Sequence, residues 1–297
     1  PAEIIPPVTG SVAPQGGLSA EAAKDLGLNA GTPVTYRSGD QQNNAFALNV
    51  LYPGEVAAKA GTSGVVYGIS KRPVSDPRFR MNTFLHVNHS RENPRYGILH
   101  CVNGAGTLTK WLRENLLHMR KNEADYSEIN RRFARAAAGA DGILILPFGN
   151  GAERWLGNRN VGMSVHGLDY SLHTADHLIR AGQEGVIFSM NYGIELMREM
   201  GIEVTKIKAA HASMFQCPEF SSAFASITGA KLELYDADGA QGAARAAGIG
   251  AGIYKGYDEA FSSVKMKALF APDPAMKDFY AEVYAKWKKI LSRYIEE

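Results

Sequence analysis

Asp40 is a candidate proton acceptor in this sequence. It follows Ser38 and Gly39 at the end of an apolar, strand-like segment, and amide side chains beginning with Gln41 follow it. A carboxylate at a strand end can point into a cleft and act as a general base on a hydroxyl group. The same arrangement is also typical of a helix N-cap, where an aspartate accepts hydrogen bonds from backbone N–H groups. Asp40 alone leaves both interpretations open.

A short polar segment, Gly61, Thr62 and Ser63, separates two apolar runs. Small residues allow backbone N–H groups to approach an anion closely, and the two hydroxyl groups add further donors. The pattern predicts a hairpin whose tip could face a phosphate group. Taken alone, the same residues favour a plain hairpin turn over an anion site.

A second candidate anion site is the segment Gly104, Ala105 and Gly106, which precedes a predicted helix. A glycine-containing loop at a helix N-terminus directs N–H groups and the positive end of the helix dipole towards an anion. The segment has neither the lysine of a phosphate-binding P-loop nor the glycine spacing of a dinucleotide fingerprint. It therefore predicts an anion site of another type.

The elements that must position these residues alternate between strands and helices, as the glycines at the ends of apolar runs indicate. Hairpins come first, and this order favours an α/β layer architecture. Residues 72–94 are the least regular part and predict an extended loop. Phe279, Val283 and Trp287 recur at helical spacing and predict core contacts of the last helix. The predicted strands are residues 33–37, 56–60, 64–70, 96–102, 142–148, 204–210 and 232–235, and the predicted helices are residues 45–51, 107–120, 131–138, 172–200, 220–227, 239–252 and 275–294.

Composition predicts a globular protein with a small-molecule ligand. The 297 residues are 45% hydrophobic and 21% charged, with a net charge of +2, so no general field favours nucleic acid or an anionic membrane as a partner. No apolar run reaches the roughly 20 residues that span a bilayer. Cys101 and Cys217 are far apart, and we expect two lone thiols in a cytoplasmic protein. The sequence leaves a homodimer open.

Several motifs, taken in order, resemble the FGGY family of carbohydrate kinases over nearly the whole chain. The first is the stretch from SGDQQ through YPG to AGTSG, which is similar to the start of the family's second domain. It is followed by NGAGTLTKWLREN, LPFGNGAERW, the run from NVGMSVHGLDY to EGVIFSM, and GAQGAARAAGIG. The motifs occur in the family's order, and each resembles its counterpart there.

The resemblance implies a ribonuclease H-like, actin-like ATPase domain, the second domain of a two-domain sugar kinase that uses ATP and Mg²⁺. Asp40 corresponds to the general base and lies with Gln41 at the sugar. The implied ATP-binding positions lie in the two glycine segments and in the segment at the end of the strand at residues 204–210. We expect Glu153 and Arg154 to form an interior ion pair. The ATP-binding residues implied are Gly61, Thr62, Ser63, Gly104, Ala105, Gly106, Ala210, His211, Ala212 and Ser213.

Two departures from the family pattern accompany the resemblance. A glycine-rich turn is usual at the adenosine, whereas this chain has Ala210, His211 and Ala212 there, and His211 could stack on a base or pack within its loop. The phosphate loop that opens the family's first domain is not found. We therefore interpret residues 1–30 as a connector and the start of the domain, residues 31–270 as the ATP-side domain and residues 271–297 as a closing helix. The N-terminal, sugar-side domain is the expected partner.

The sugar and the class of protein have alternatives. The AGTSGVV segment favours D-xylulose, while GDQQ also resembles glycerol kinases, and other ketoses or aldonates remain. An alternative of another class is a non-catalytic nucleotide-binding module, although such a module has no need of Asp40. A metal hydrolase using His86, His89 and His100 is a further alternative, but their spacing matches no metal pattern, and we predict no metal site in the chain.

Overall fold

The computed structural model describes residue 4, residues 8–119 and residues 126–295 of the chain. Arg120, the predicted last residue of one helix, and the first residues of the predicted connector lie outside these ranges. Among the described residues, no helix combines the length and the apolar character needed to cross a bilayer. The strands are β1 (Val12–Gly17), β2 (Pro33–Tyr36), β3 (Val56–Ala60), β4 (Gly64–Ser70), β5 (Asn82–Leu85), β6 (Tyr96–Val102), β7 (Leu144–Phe148), β8 (Gly162–His166), β9 (Lys206–Ala210), β10 (Lys231–Tyr235) and β11 (Met266–Phe270).

Helices alternate with these strands in the second half of the chain, as the glycine pattern predicts. Shorter 3₁₀ turns and one π-helical segment, Leu112–Leu116, connect some of them. The α-helices are α1 (Ala20–Leu26), α2 (Asp40–Ala47), α3 (Gly106–Trp111), α4 (Ser127–Arg135), α5 (Ala175–Glu199), α6 (Pro218–Thr228), α7 (Gly239–Gly250), α8 (Tyr257–Phe261) and α9 (Lys277–Ile295).

The central sheet has the strand order β11-β10-β9-β3-β4-β6-β5. β3, β4 and β6 pair antiparallel, whereas β9 joins β3, and β10 joins β9, in parallel. An antiparallel meander extended by parallel strands is the ribonuclease H-like arrangement that the resemblance implies. Two small sheets, β1-β2 and β7-β8, lie outside it.

Helices cover both faces of the central sheet. α2 packs on β3 and β4 from one side, and α7 packs on α2. α5 packs on β4 and β6 from the other side, with α6 and α9 beyond it. Because successive strand residues face opposite sides, Ala57 and Val65 join the α2 core, while Ala58 and Val66 join the α5 core.

α5 owes its close approach to the sheet to glycines. A Cβ at Gly193 would lie 2.4 Å from the ring of His100, and a Cβ at Gly185 would lie 2.3 Å from the carbonyl oxygen of Ile145. Glycine normally weakens a helix by about 1 kcal/mol relative to alanine. Here it removes side-chain atoms that would keep the helix away from β6 and β7.

Some sequence predictions of local structure are wrong. The helix predicted at residues 107–120 is interrupted, since α3 ends at Trp111 and a π-helical turn follows. The strand predicted at residues 142–148 begins at Leu144 and pairs with β8 in a small sheet outside the central sheet, although all five of its residues are buried. The irregular stretch 72–94 contains β5, an edge strand.

The closing helix α9 was predicted to contact the core through three residues, and one of them is misassigned. Trp287 is fully buried and Val283 packs against the core, but Phe279 remains 40% exposed. Phe279 lies in the first turn of α9, with its ring beside Gly139.

Candidate active site

Asp40 is the first residue of helix α2. The N-cap is Gly39, with φ −68° and ψ 155°, and no side chain caps the helix. The Asp40 carboxylate is exposed, and its Oδ2 accepts a hydrogen bond of 3.0 Å from the side chain of Gln41. The interpretation of Asp40 as a capping residue is therefore wrong, and its carboxylate remains accessible to a ligand.

The two candidate anion segments form one structural unit. The hairpin tip between β3 and β4 is closed by a hydrogen bond of 3.1 Å from Gly61 N to Ser63 O. The glycine segment then attaches to this tip, because Gly106 N donates to Gly61 O at 2.8 Å and Thr107 N donates to Thr62 O at 3.3 Å. The N–H groups of Gly106 and Thr107 are thus engaged by the protein, rather than directed at an anion as we expected from the helix N-terminus.

Glu153 supports the start of the glycine segment. Its Oε1 accepts a hydrogen bond of 2.9 Å from Asn103 N, and Asn103 Nδ2 donates to Ala152 O at 2.8 Å. Glu153 is fully buried, and its second oxygen, Oε2, has no hydrogen-bond partner among the described residues. Burial raises the pKa of Glu153 to about 7, and the hydrogen bond from Asn103 offsets this only in part.

The predicted ion pair between Glu153 and Arg154 is wrong. The described residues contain no such pair, and Arg154 is exposed while Glu153 is buried. The backbone of Glu153 is extended, with φ −97° and ψ 123°. Neighbouring side chains of an extended segment point to opposite sides, so the two side chains do not face each other.

The segment after β9 completes the site from a third direction. His211 N donates to Tyr235 O at 2.9 Å, which continues the pairing of β9 and β10 for one residue, and a 3₁₀ turn, Ser213–Gln216, follows. Ser213 begins this turn with a φ of 53°. The side chain of His211 is exposed, so the interpretation of His211 as packed within its loop is wrong.

The three segments surround a cavity of about 400 Å³, which we call the loop cavity. A narrower crevice of about 160 Å³, the α2 crevice, lies between α2, β3 and the end of β9. Ala60 and Ser213 line both spaces. The α2 crevice extends to Gln41, the neighbour of Asp40. The loop cavity and the α2 crevice therefore adjoin at Ala60 and Ser213, and the α2 crevice lies beside the start of α2.

The predicted ATP-binding residues divide into three groups. Gly61, Thr62, Gly106 and Ser213 line the loop cavity together. Ala210 and Ala212 line the α2 crevice instead, with Gln41. The others line neither space: Ala105 is completely buried and Gly104 faces a separate cavity beside Pro147, while Ser63 and His211 lie outside the two linings.

Sequence reasoning missed most of the polar wall of the loop cavity. Lys110 lies four residues after Gly106, and residues at this spacing share a helix face. Helical spacing was therefore a signal that could have identified Lys110. Thr107 and Thr109 belong to α3 as well, whereas the remaining members come from the start of α4, from α5 and from the turn after β9, which no local pattern connects. The missed lining residues are Thr107, Thr109, Lys110, Tyr126, Asn130, Gln183, Met214 and Gln216.

The histidines considered for a metal hydrolase are used in packing. His86 is buried between Val50 O, at 3.0 Å from its Nε2, and the hydroxyl of Tyr67, at 3.0 Å from its Nδ1. The Nε2 of His100 lies 3.1 Å from Ser189 O. Burial lowers the pKa of both rings to about 4, so they remain neutral near pH 7.

The described residues contain no group of three histidine, cysteine or acidic side chains that could hold a metal ion. Mg²⁺ at phosphoryl-transfer sites is commonly held by one or two carboxylates together with the phosphates of the substrate. The α2 crevice is lined by the carboxylate of Asp238, and the carboxylate of Asp40 lies next to its lining residue Gln41. The chain's own residues therefore fit a Mg²⁺ ion carried by a nucleotide, but not a metal site built from protein ligands alone.

Comparison with known proteins identifies the group to which this arrangement belongs. The model of the FGGY family of carbohydrate kinases, C-terminal domain, matches residues 56–251, which is more than half of the chain. The chain belongs to the FGGY family of carbohydrate kinases. The predicted family, which is a family of carbohydrate kinases, and the ribonuclease H-like, actin-like fold class are confirmed.

Relatives in the FGGY family include enzymes for different sugars. A xylulose kinase of Haemophilus influenzae is 30% identical over 206 residues, which is 69% of this chain and 39% of that protein. A gluconokinase of Bacillus licheniformis is 30% identical over 177 residues, 57% of this chain and 33% of that protein. The crystal structure of xylulose kinase from Rhodospirillum rubrum matches with a TM-score of 0.84 and 26% identity, covering 99% of this chain and 58% of that one. The chain spans less than two thirds of the length of each.

Proposed function

We propose that this chain forms the ATP-binding half of a carbohydrate kinase and supplies its general base. The observation that carries this proposal is the adjacency of the two spaces. The loop cavity is lined by three segments of the kind that hold nucleotide phosphates, and it shares the lining residues Ala60 and Ser213 with the α2 crevice. That crevice leads to Gln41, whose side chain contacts Asp40. This arrangement supports a nucleotide in the loop cavity with the general base at the neighbouring crevice.

The geometry suits phosphoryl transfer because this reaction asks little covalent chemistry of the protein. Catalysis consists mainly of positioning the nucleotide and stabilising charge, with a carboxylate that accepts the hydroxyl proton. Asp40 is exposed at the start of α2, so a sugar hydroxyl can approach it from the open side. We assign the nucleotide to the loop cavity and the sugar hydroxyl to the Asp40 side. Mg²⁺ would accompany the phosphates.

For the substrate, we propose D-xylulose. The xylulose kinases among the relatives support this assignment, and the gluconokinase supports an aldonate as the second candidate. Glycerol is a further alternative because GDQQ resembles the glycerol kinase form of the site. We expect the sugar-side domain of the same enzyme to supply most sugar contacts, and we expect no appreciable turnover from the present 297 residues alone.

The experiment has two arms. Calorimetric titration of this chain with ATP and ADP tests the nucleotide half, and micromolar to millimolar binding is expected. A coupled assay of the complete kinase with Mg²⁺-ATP and D-xylulose, D-ribulose, glycerol or D-gluconate tests the reaction and the sugar. Nucleotide binding without turnover on any of these sugars would favour a non-catalytic nucleotide-binding module. Near-normal turnover by the chain alone would disprove the need for a second domain.

A further inference from the structure

Lys59 is an exposed cation on a strand whose other residues are buried. In β3, Lys59 is exposed to solvent, whereas the other four residues of the strand are buried. Residues two apart on a strand face the same side, so Lys59 shares the face of Ala57, which packs in the α2 core with Ala45. Lys59 therefore projects on the side of the sheet that carries α2 and Asp40.

The side chain of Lys59 extends along the hairpin tip. A Cβ placed on Gly61 would lie 3.4 Å from Cε of Lys59 and 4.0 Å from Oγ of Ser213. The end of the lysine stem thus lies over the backbone of Gly61, on the same side of it as Ser213. Lys59, Gln41 and Ser213 line the α2 crevice together.

The surroundings leave the Lys59 ammonium available for an anionic ligand. Within residues 8–119 and 126–295, Lys59 forms no ion pair. Asp238 also lines the α2 crevice, but its carboxylate caps α7 by accepting a hydrogen bond of 2.8 Å from Gln241 N. The N–H groups of Gly106 and Thr107, which could have met a phosphate, are engaged by the hairpin tip. With these two N–H groups engaged, the Lys59 ammonium can supply a charged hydrogen-bond donor to a phosphate at this end of the site.

We propose that Lys59 is a catalytic residue that contacts the terminal phosphoryl group of the bound nucleotide, an inference that rests on the proposed function. In the transfer step, the bond between the γ-phosphorus and the bridging oxygen breaks, and a bond from the sugar oxygen to that phosphorus forms. The hydroxyl proton passes to Asp40. Lys59 keeps its proton and stabilises the negative charge on the non-bridging oxygens, as cationic clamps do in phosphoryl transfer.

The test compares ATP, ADP and adenosine in titrations of this chain, with the variants Lys59→Met, Lys59→Gln and Lys59→Arg. A hydrogen bond to a charged group accounts for about a tenfold change in affinity. We expect Lys59→Met and Lys59→Gln to weaken ATP by about tenfold, to weaken ADP less and to leave adenosine unchanged. Lys59→Arg should retain most of the ATP affinity.

Lys231→Met is the matched control. Lys231 is an exposed strand lysine that begins β10, at the end of the parallel strands opposite to Lys59. We expect the Lys231→Met variant to bind ATP, ADP and adenosine with the same affinities as the unaltered chain. Unchanged ATP affinity in Lys59→Met, with adenosine still bound, would overturn the assignment of Lys59 while leaving the nucleotide site intact. Failure of the unaltered chain to bind either ATP or adenosine would instead overturn the proposed function, and the inference with it.

Discussion

The backbone N–H of Gly106 donates a hydrogen bond of 2.8 Å to the carbonyl oxygen of Gly61. This contact joins the glycine segment to the hairpin tip, and both segments line the loop cavity. A Cβ on Gly106 would lie only 2.4 Å from the same carbonyl oxygen. The site therefore depends on a backbone contact that no side chain at position 106 permits.

Replacement of Gly106 by alanine should separate the two segments. We expect Gly106→Ala to lower the free energy of unfolding by about 1–3 kcal/mol, the usual cost of overpacking, and to weaken ATP binding. Urea unfolding and calorimetric titration measure the two effects. Gly256→Ala is the control, because a Cβ there meets no atom within 4 Å and the φ of 173° is ordinary extended backbone. Equal stability and ATP affinity in both variants would contradict the structural role of the Gly106–Gly61 contact.

Removal of the Asp40 charge should slow the phosphoryl transfer step without weakening nucleotide binding. We expect Asp40→Asn in the complete kinase to lower kcat by about 10²–10⁴-fold, the typical contribution of a general base, and to leave nucleotide affinity nearly unchanged. Steady-state kinetics and ATP titration measure these quantities. Asp258→Asn is a matched control, since Asp258 is an exposed aspartate in the first turn of α8. Asp40 would not be the base if Asp40→Asn turned over at the normal rate.

The buried carboxyl group of Glu153 should make stability depend on pH. Its pKa is about 7 in the folded chain, against an ordinary value of 4.5. Below pH 4.5 the group is protonated in both states, and between pH 4.5 and 7 the unfolded state loses its proton first. Stability therefore falls as pH rises through this window, by at most about 3 kcal/mol.

The variant Glu153→Gln tests this pH dependence because it cannot ionise. We expect Glu153→Gln to gain stability relative to the unaltered chain between pH 5 and pH 8, with the difference measured by urea unfolding at each pH. Glu21→Gln, an exposed position in the first turn of α1, serves as the control and should show little change. Parallel pH profiles for Glu153→Gln and the unaltered chain would show that Glu153 does not carry the effect.

A buried ion pair provides a fourth prediction. Nε of Arg180 donates to Oε1 of Glu184 at 2.6 Å, and the hydroxyl of Tyr280 also donates to that oxygen, at 3.0 Å. Arg180→Met leaves the Glu184 charge buried without its partner, and we expect a loss of about 3–5 kcal/mol. The double variant Arg180→Met with Glu184→Leu should recover most of this loss in urea unfolding. A double variant less stable than Arg180→Met would contradict the argument.

The sequence patterns predicted correctly those elements whose structure is determined by neighbouring residues. The hairpin of β3 and β4 has the bounds predicted from its apolar runs and small polar tip, because register and turn are specified within a few residues. α5 and α7 correspond to the helices predicted at residues 172–200 and 239–252. The pairing of β7 with β8 could not be predicted from the apolar run at residues 144–148, because complete burial does not indicate which strand is the neighbour.

The sequence identified the segments that form the site, but it did not predict the contacts between them. The family motifs identified the hairpin tip, the glycine segment and the stretch at Ser213, which do converge. They did not show that the N–H groups of Gly106 and Thr107 would bond to the hairpin tip, because this depends on the distance between two loops. The exposed position of His211 depends likewise on where β9 ends against β10.

The packing of α9 has a consequence for synthesis on the ribosome. The indole of Trp287 donates a hydrogen bond of 2.9 Å to Ile145 O, across 142 positions of the chain, and Tyr280 reaches Arg180 across 100. During translation, β7 and α5 therefore emerge from the ribosome long before Tyr280 and Trp287, the aromatic residues of α9 that pack on them. We expect this half-covered surface to be a substrate for chaperones during translation, until the emergence of α9 commits the domain to its final state.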